Sequence, residues 1–210
     1  METNTDDILF KCIEKYEEIL KNDYTYKLDG GIIIKIIFKK SNFAHLLGLH
    51  KLDDIPVFKS LSDKDGNVKK GQAEIIYREI KLKRIKYDTI VNSAKFDLIK
   101  DRIESFVEIN TMLLFSEVIV NFDSKKFKEE TKMDTLLKSN VIFFNKIKNT
   151  YFHLCIVNKD GKTYPESFFV RNDNNYTRGQ KKKLILEKRI ESHNNKSGTG
   201  KRSRKNKQAI

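Results

Sequence analysis

Val141-Ile142-Phe143-Phe144-Asn145-Lys146-Ile147, then Tyr151-Phe152-His153-Leu154-Cys155-Ile156-Val157, then Tyr164-Pro165-Glu166-Ser167-Phe168-Phe169-Val170-Arg171, form three consecutive apolar and aromatic segments. The break before the third is Asn158-Lys159-Asp160-Gly161. Branched and aromatic side chains suit a pleated surface, and Asp-Gly between two such segments is a strong hairpin signal. The stretch predicts neighbouring antiparallel strands. A polar break at Asn172–Asn175 precedes another strand at Leu184–Ile190.

Further upstream, Tyr24–Leu28 and Ile32–Lys39 read as a hairpin joined through Asp29-Gly30-Gly31, a turn that tolerates positive φ. Before it, Ile8, Cys12, Ile13, Tyr16, Ile19 and Leu20 recur at helical spacing, so a first helix is expected to about Lys21, capped by Thr5 or Asp6. Segment 60–72, with Asp65-Gly66-Asn67, reads as a loop, and Gln72–Ile85 as a helix. Residues 93–114 predict one long helix with Phe96, Ile99, Ile103, Phe106 and Asn110 on one face. Val118–Phe122 reads as a strand, and Lys125–Lys138 is polar with no clear periodicity. The fold class is α+β: N-terminal and central helices packed on an antiparallel β-sheet over residues 1–191.

The chain has 210 residues, and 42 Lys+Arg against 29 Asp+Glu give a net charge of +13. Residues 192–210 carry six basic residues, no acid and no apolar periodicity, so they read as a basic disordered tail. Removing those six leaves +7 on residues 1–191, so the folded part is basic in its own right. Such an excess points to polyanions, because phosphate neutralisation supplies much of nucleic-acid affinity. Cys12 and Cys155 have no metal-type spacing, and two thiols in this length suggest a reducing compartment. The acidic, polar start Met1–Asp7 is unlike a signal peptide, and no run of about 18 apolar residues exists. A cytoplasmic protein without a membrane span is expected.

Phosphate-binding glycine loops, nucleophile elbows, paired metal ligands and dinucleotide fingerprints are all absent from the sequence, so no cofactor and no metal are called for. Two clusters remain. In Phe38-Lys39-Lys40-Ser41-Asn42-Phe43-Ala44-His45-Leu46-Leu47-Gly48-Leu49, a strand delivers two lysines, then a short apolar turn centred on His45, then a glycine stop. His45 is either a packed histidine or a general acid or base with Lys39 and Lys40 as phosphate-contacting cations. His50 reads as a surface residue and His153 as a structural one.

The second cluster is Ser167 to Lys181. Side chains alternate along a strand, so Ser167, Phe169 and Arg171 share a face. That face is either an outward polar edge or a nucleotide-binding surface. In the second case Phe169 stacks a base while Arg171, Arg178 and Lys181 hold phosphate. Tyr176 and Gln180 share a face if their turn is helical.

Together the Phe-Lys strand end, the Phe43–Leu49 histidine turn, the Ser167-Phe168-Phe169 strand and the Tyr176/Gln180 pair resemble a phage- and mobile-element-associated nuclease family. That family is a branch of the Barnase–EndoU–colicin–RelE-like (BECR) superfamily. The resemblance spans roughly residues 5–190. It implies helices on an antiparallel sheet and metal-independent cleavage of RNA. The reaction expected is toxin-like, with attack of a 2′-hydroxyl on the adjacent phosphate leaving a 2′,3′-cyclic phosphate and a 5′-hydroxyl. The resemblance makes His45, Ser167, Arg171, Tyr176 and Gln180 the active-site candidates, and leaves acid and base unassigned. The partners it calls for are RNA, with tRNA and mRNA as the substrate types, and an antitoxin or immunity protein. The competing readings are a non-catalytic RNA- or DNA-binding protein and an inhibitor occupying a nucleic-acid groove.

Overall fold

The computed structural model describes residues 7–63, 68–135, 137, 139–159 and 162–193. The first helix, α1 (Ile8–Leu20), is capped by Asp7, whose carboxylate accepts the backbone N–H groups of Leu9 and Phe10. The cap is therefore Asp7 rather than Thr5 or Asp6. Leu9, Cys12, Ile13, Tyr16 and Ile19 are buried along its inner stripe. Strands β1 (Asn22–Leu28) and β2 (Ile33–Ile36) form the expected hairpin, with Gly30 and Gly31 both at φ +76° in its turn. The second strand is shorter than its apolar run.

The histidine turn is a helix, α2 (Lys40–Leu46), ended by Gly48 at φ +77°. Then come α3 (Pro56–Lys59), α4 (Lys70–Lys81) and α5 (Tyr87–Val91). The single helix expected over 93–114 is broken. It divides into α6 (Lys100–Ser105) and α7 (Ile109–Phe115), with 3₁₀ turns at Phe96–Leu98 and Phe106–Glu108. The buried residues explain the break: Ile103, Phe106, Ile109 and Met112 recur every three residues. Only a backbone tightened to three residues per turn keeps all four on one face. Asn110 instead points to Glu18, donating at 2.6 Å.

Strand β3 (Glu117–Val120) leads into α8 (Ser124–Thr131), which the polar sequence concealed. Asp123 caps it through the Lys126 N–H, and Phe127 is its buried anchor. The opening stretch is the predicted meander of β4 (Val141–Ile147), β5 (Thr150–Lys159) and β6 (Lys162–Arg171). The last strands among the described residues are β7 (Lys182–Lys183) and β8 (Ile185–Ser192). The expected turns at Asp65-Gly66-Asn67 and Asp160-Gly161, and the tail from 194, lie outside the described residues.

Among the described residues eight strands join one sheet in the order β7-β3-β4-β5-β6-β2-β1-β8, antiparallel except for β2 beside β6. Strands β7 and β8 lie at opposite edges, yet only Leu184 separates them. One extended segment thus ties β3 at one edge to β1 at the other, and the sheet curls. The inward face carries Tyr26, Phe143, Leu154 and Phe168 into the main core under the helices. The other face holds a smaller cluster of Ile119, Ile142, Phe144 and Cys155. Among the described residues no helix is long and apolar enough to cross a membrane.

Two features of β6 prepare the site. Its parallel contact with β2 is a single rung, Ile36 to Thr163, because β2 ends there while β6 runs on. Past that rung Pro165, which has no N–H to donate, occupies an edge position, as proline in a sheet must. Opposite, Cys155 pairs with Ser167 and Ile156 with Pro165, so Glu166 is the extra residue of a β-bulge. A bulge bends its strand and re-aims the following side chains. Helices α2 and α6 pack along this freed stretch of β6.

Gly48 ends α2 with a backbone that only glycine adopts cheaply, and a Cβ there would sit 2.9 Å from Ile99 Cγ2. Gly48→Ala is expected to destabilise the protein by about 1–3 kcal/mol. Gly71→Ala, on α4 with nothing within 4 Å, is the control and should be neutral or slightly stabilising. Urea midpoints read both. Equal midpoints for the two variants would contradict this geometry.

Candidate functional site

Strand alternation sends Ser167, Phe169 and Arg171 to the face opposite Phe168, which is in the main core. Across the ladder, Ser167 faces Cys155, Phe169 faces His153 and Arg171 faces Tyr151. The ring of His153 stacks on Phe169 with centroids 4.6 Å apart and planes 13° apart. Tyr176 closes over this pair, 4.8 Å from Phe169 and 5.6 Å from His153. Its other neighbours are Phe127 of α8 at 4.8 Å and Phe122 at 6.1 Å. The result is an aromatic wall beside Ser167.

Arg102 of α6 joins this wall to the histidine helix. It reaches past the end of β2, and its Nη1 donates to Ser167 Oγ at 3.4 Å. Its stem lies against Gly48, where a Cβ would come within 3.4 Å of Cδ. The left-handed Gly48 turns the chain back on itself, so the 3₁₀ turn Leu49–Lys51 lays His50 over His45. Their rings stack at 4.6 Å and 20°. His50 is therefore no ordinary surface residue. It shares a largely enclosed space with His45, Arg102 and Lys51.

Burial sets the protonation states. His50 is pushed down to about 3, first by burial and then by the charges of His45, Arg102 and Lys51. His153 is fully buried and pushed down to about 4 by the same loss of water. The Phe169 and Tyr151 backbone lies near enough to favour its charged form, yet no hydrogen bond of good geometry reaches either ring nitrogen. Both histidines are neutral at pH 7. Arg102 is also lowered by burial, with Cys155 and Tyr176 the groups that favour its charge. Among the described residues no carboxylate pairs with it. The Cys155 and Cys12 thiols are pushed up by burial and stay protonated.

The remaining sequence candidates are placed as follows. Arg171 lies four residues beyond Ser167, about 13 Å along the strand. It is engaged by Asp173, with Nη2 to Oδ2 at 2.9 Å and Nε at 3.2 Å. Gln180 clamps the backbone of Asp123, accepting its N–H at 2.9 Å and donating to its carbonyl at 3.0 Å. Arg178 is exposed and donates to Asn174 Oδ1 at 3.1 Å. Lys39 lies over the Tyr164 ring at 4.4 Å, and Lys40 points to Tyr77 of α4 at 5.9 Å. On a helix, positions 40 and 45 point about 140° apart, so the two lysines do not flank His45. The cations near the histidine pair are Arg102 and Lys51. Sequence reasoning missed Arg102, although a basic residue between the buried Ile99 and Ile103 was the available signal.

The neutral histidines couple folding to pH. Unfolded histidine titrates near ~6.5, whereas His50 and His153 stay unprotonated in the fold until about 3 and about 4. Between these limits the unfolded state binds more protons. Stability is therefore full above pH ~6.5 and falls as pH drops towards 4. Urea midpoints at pH 7.5, 6 and 5 should decline, and His153→Phe should flatten that decline. An unchanged slope in the variant would show that His153 is not buried and neutral.

Compared with known proteins, the chain matches over residues 8–204 the family described as phage-Barnase-EndoU-ColicinE5/D-RelE like nuclease 4. The match runs past residue 190, where the resemblance read from the sequence ended, and into the basic tail. No curated protein and no solved structure matches the chain. Arg102, the histidine pair and the Ser167–Tyr176 wall thus lie within the matched span, and the chain belongs to this phage-associated family of BECR-type nucleases.

Proposed function

We propose that the chain is a metal-independent endoribonuclease whose active centre is the space between Arg102, the His45/His50 pair, Ser167 and Tyr176. One observation carries this reading. Arg102 is a largely enclosed cation with no carboxylate partner among the described residues, set beside neutral imidazole and two hydroxyls. A buried cation without a counter-ion is costly, and a phosphate oxygen supplies the missing charge. The charge this space offers to a phosphate is the Arg102 guanidinium.

The reaction is attack of a 2′-oxygen on the adjacent phosphorus. The 2′-hydroxyl proton passes to a base and the P–O5′ bond breaks. The leaving oxygen takes up a proton, giving a 2′,3′-cyclic phosphate and a 5′-hydroxyl. Arg102 holds the non-bridging oxygens as charge builds on them, with Ser167 and Tyr176 as further donors. The His45/His50 pair exchanges the protons. Burial, and then the field of the neighbouring cations, makes His50 a weak base. A phosphate seated against Arg102 offsets their field and raises its affinity for a proton. Arg171, ion-paired with Asp173, lies about 13 Å further along β6 and suits contact with the strand beyond the scissile bond.

An RNA digest in EDTA tests this. Cleavage should persist and leave 2′,3′-cyclic ends. Arg102→Ala should reduce the rate by ~10²–10³-fold, the loss expected for one donor to a developing oxyanion. His45→Ala should reduce it by at least ~10²-fold. Both variants should keep a cooperative thermal transition. RNA binding without cleavage, or activity abolished by EDTA and restored by Mg²⁺, would overturn the proposal.

A further inference from the structure

We infer that the cavity between the end of β3, the start of α8 and the 179–183 segment is a second phosphate site, one that anchors the nucleic-acid strand away from the scissile bond. The cavity is about 480 Å³ and is lined by Lys126, Lys181 and Lys183 against one acid, Asp123. The carboxylate of Asp123 is already used to cap α8 through the Lys126 N–H at 3.0 Å. Lys183 is fixed by Asp29, with Nζ to Oδ2 at 3.2 Å. Among the described residues no acid pairs with the ammonium groups of Lys126 or Lys181.

The lysines are set by the backbone. Gly179 has φ +66°, and a Cβ on it would lie 2.9 Å from Lys126 Cε. Gly30 has φ +76°, and a Cβ on it would lie 3.3 Å from Lys183 Nζ. Two left-handed glycines therefore leave room for the Lys126 stem, with the Glu130 side chain beside it, and for the Lys183 ammonium. The Gln180 clamp on Asp123 holds the 179–183 segment against α8. This arrangement gathers like charges at a stability cost, which an anion removes.

The occupant is a phosphodiester of the strand cut at Arg102, so its identity as RNA rests on the function proposed above. The two places are connected. Phe122 and Phe127, which hold Tyr176, immediately precede or follow the cavity residues Asp123 and Lys126. Lys181 is five residues from Tyr176, which limits their separation to about 18 Å. A single strand leaving the Tyr176 wall reaches the cavity within a few nucleotides.

Binding of a non-cleavable 2′-O-methyl RNA 12-mer, followed by fluorescence anisotropy over a salt series, is the test. K126E/K181E should weaken binding at least tenfold at 0.1 M salt. Its log K against log salt slope should be shallower by about 1.4, because two fewer phosphates of a single strand are neutralised. Its thermal transition should stay cooperative and no lower than the wild type's, because both side chains are exposed and the variant relieves the repulsion among the lysines. Unchanged affinity and slope would overturn the inference and leave the cavity to an acidic protein. Wild-type cleavage of a dinucleotide, too short to reach the cavity, reads the chemistry separately. Lysine-dependent 12-mer binding with an intact dinucleotide supports the anchor and overturns the proposed reaction.

Discussion

A guanidinium drawn largely out of water must find negative charge or hydrogen-bond acceptors, and around Arg102 the fold supplies few. Ser167 accepts one bond at 3.4 Å, and burial already weakens the guanidinium's hold on its proton. The same charge reaches His50 and helps to keep that ring neutral. Much of the local backbone serves this residue. Gly48 has no side chain where the arginine stem passes, and β2 stops before it could cover Ser167. A lysine would not reproduce the arrangement, because a planar fork of donors spans two phosphate oxygens and a point charge does not.

The sheet makes that position reachable. An antiparallel meander with full pairing would bury β6 between two strands and seal Ser167 from the helical side. Here β6 has β5 on one edge and, beyond Thr163, helices on the other. Pro165 and the bulge at Glu166 suit a strand that loses a partner partway along. The curl imposed by the continuous β7–β8 segment carries the 176–183 segment back across the second face. There Tyr176 meets His153 and Phe169. The tyrosine of the aromatic wall and two lysines of the cavity thus come from one length of chain, held by a glutamine whose amide bonds backbone.

The strands and the first hairpin were legible because their signals are local: alternation, branched residues, and glycines where φ must be positive. The shared face of Ser167, Phe169 and Arg171 was legible for the same reason. The broken helix over 93–114 was not, since a three-residue apolar spacing and a 3.6-residue one look alike over two turns. Helix α8 was hidden by its polarity, with Phe127 the one buried residue along it. The site was half legible. His45 was visible, but a turn at that point pairs it with Lys39 and Lys40, whereas the helix that forms turns the lysines away. His50 and Arg102 become site residues only through long-range packing: a left-handed glycine folds one histidine over the other, and a helix crosses the end of a strand.

Two kinds of cation emerge, and their physics differs. Arg102 is enclosed, weakly screened and close to the histidine pair, so in the proposed reaction it acts on charge as that charge develops. Lys126 and Lys181 are exposed and screened by salt, so in the proposed anchor they act on affinity and on how the strand is threaded. A shallow anchor alone would bind any polyanion, and a deep guanidinium alone would hold any small phosphate. If both act as proposed, joining them through one segment, with Tyr176 at one end and Lys181 at the other, calls for a flexible chain of phosphates long enough to span both. Single-stranded nucleic acid meets that requirement. A duplex does not, because its paired bases could not lie against the partly exposed Phe169 and Tyr176 rings.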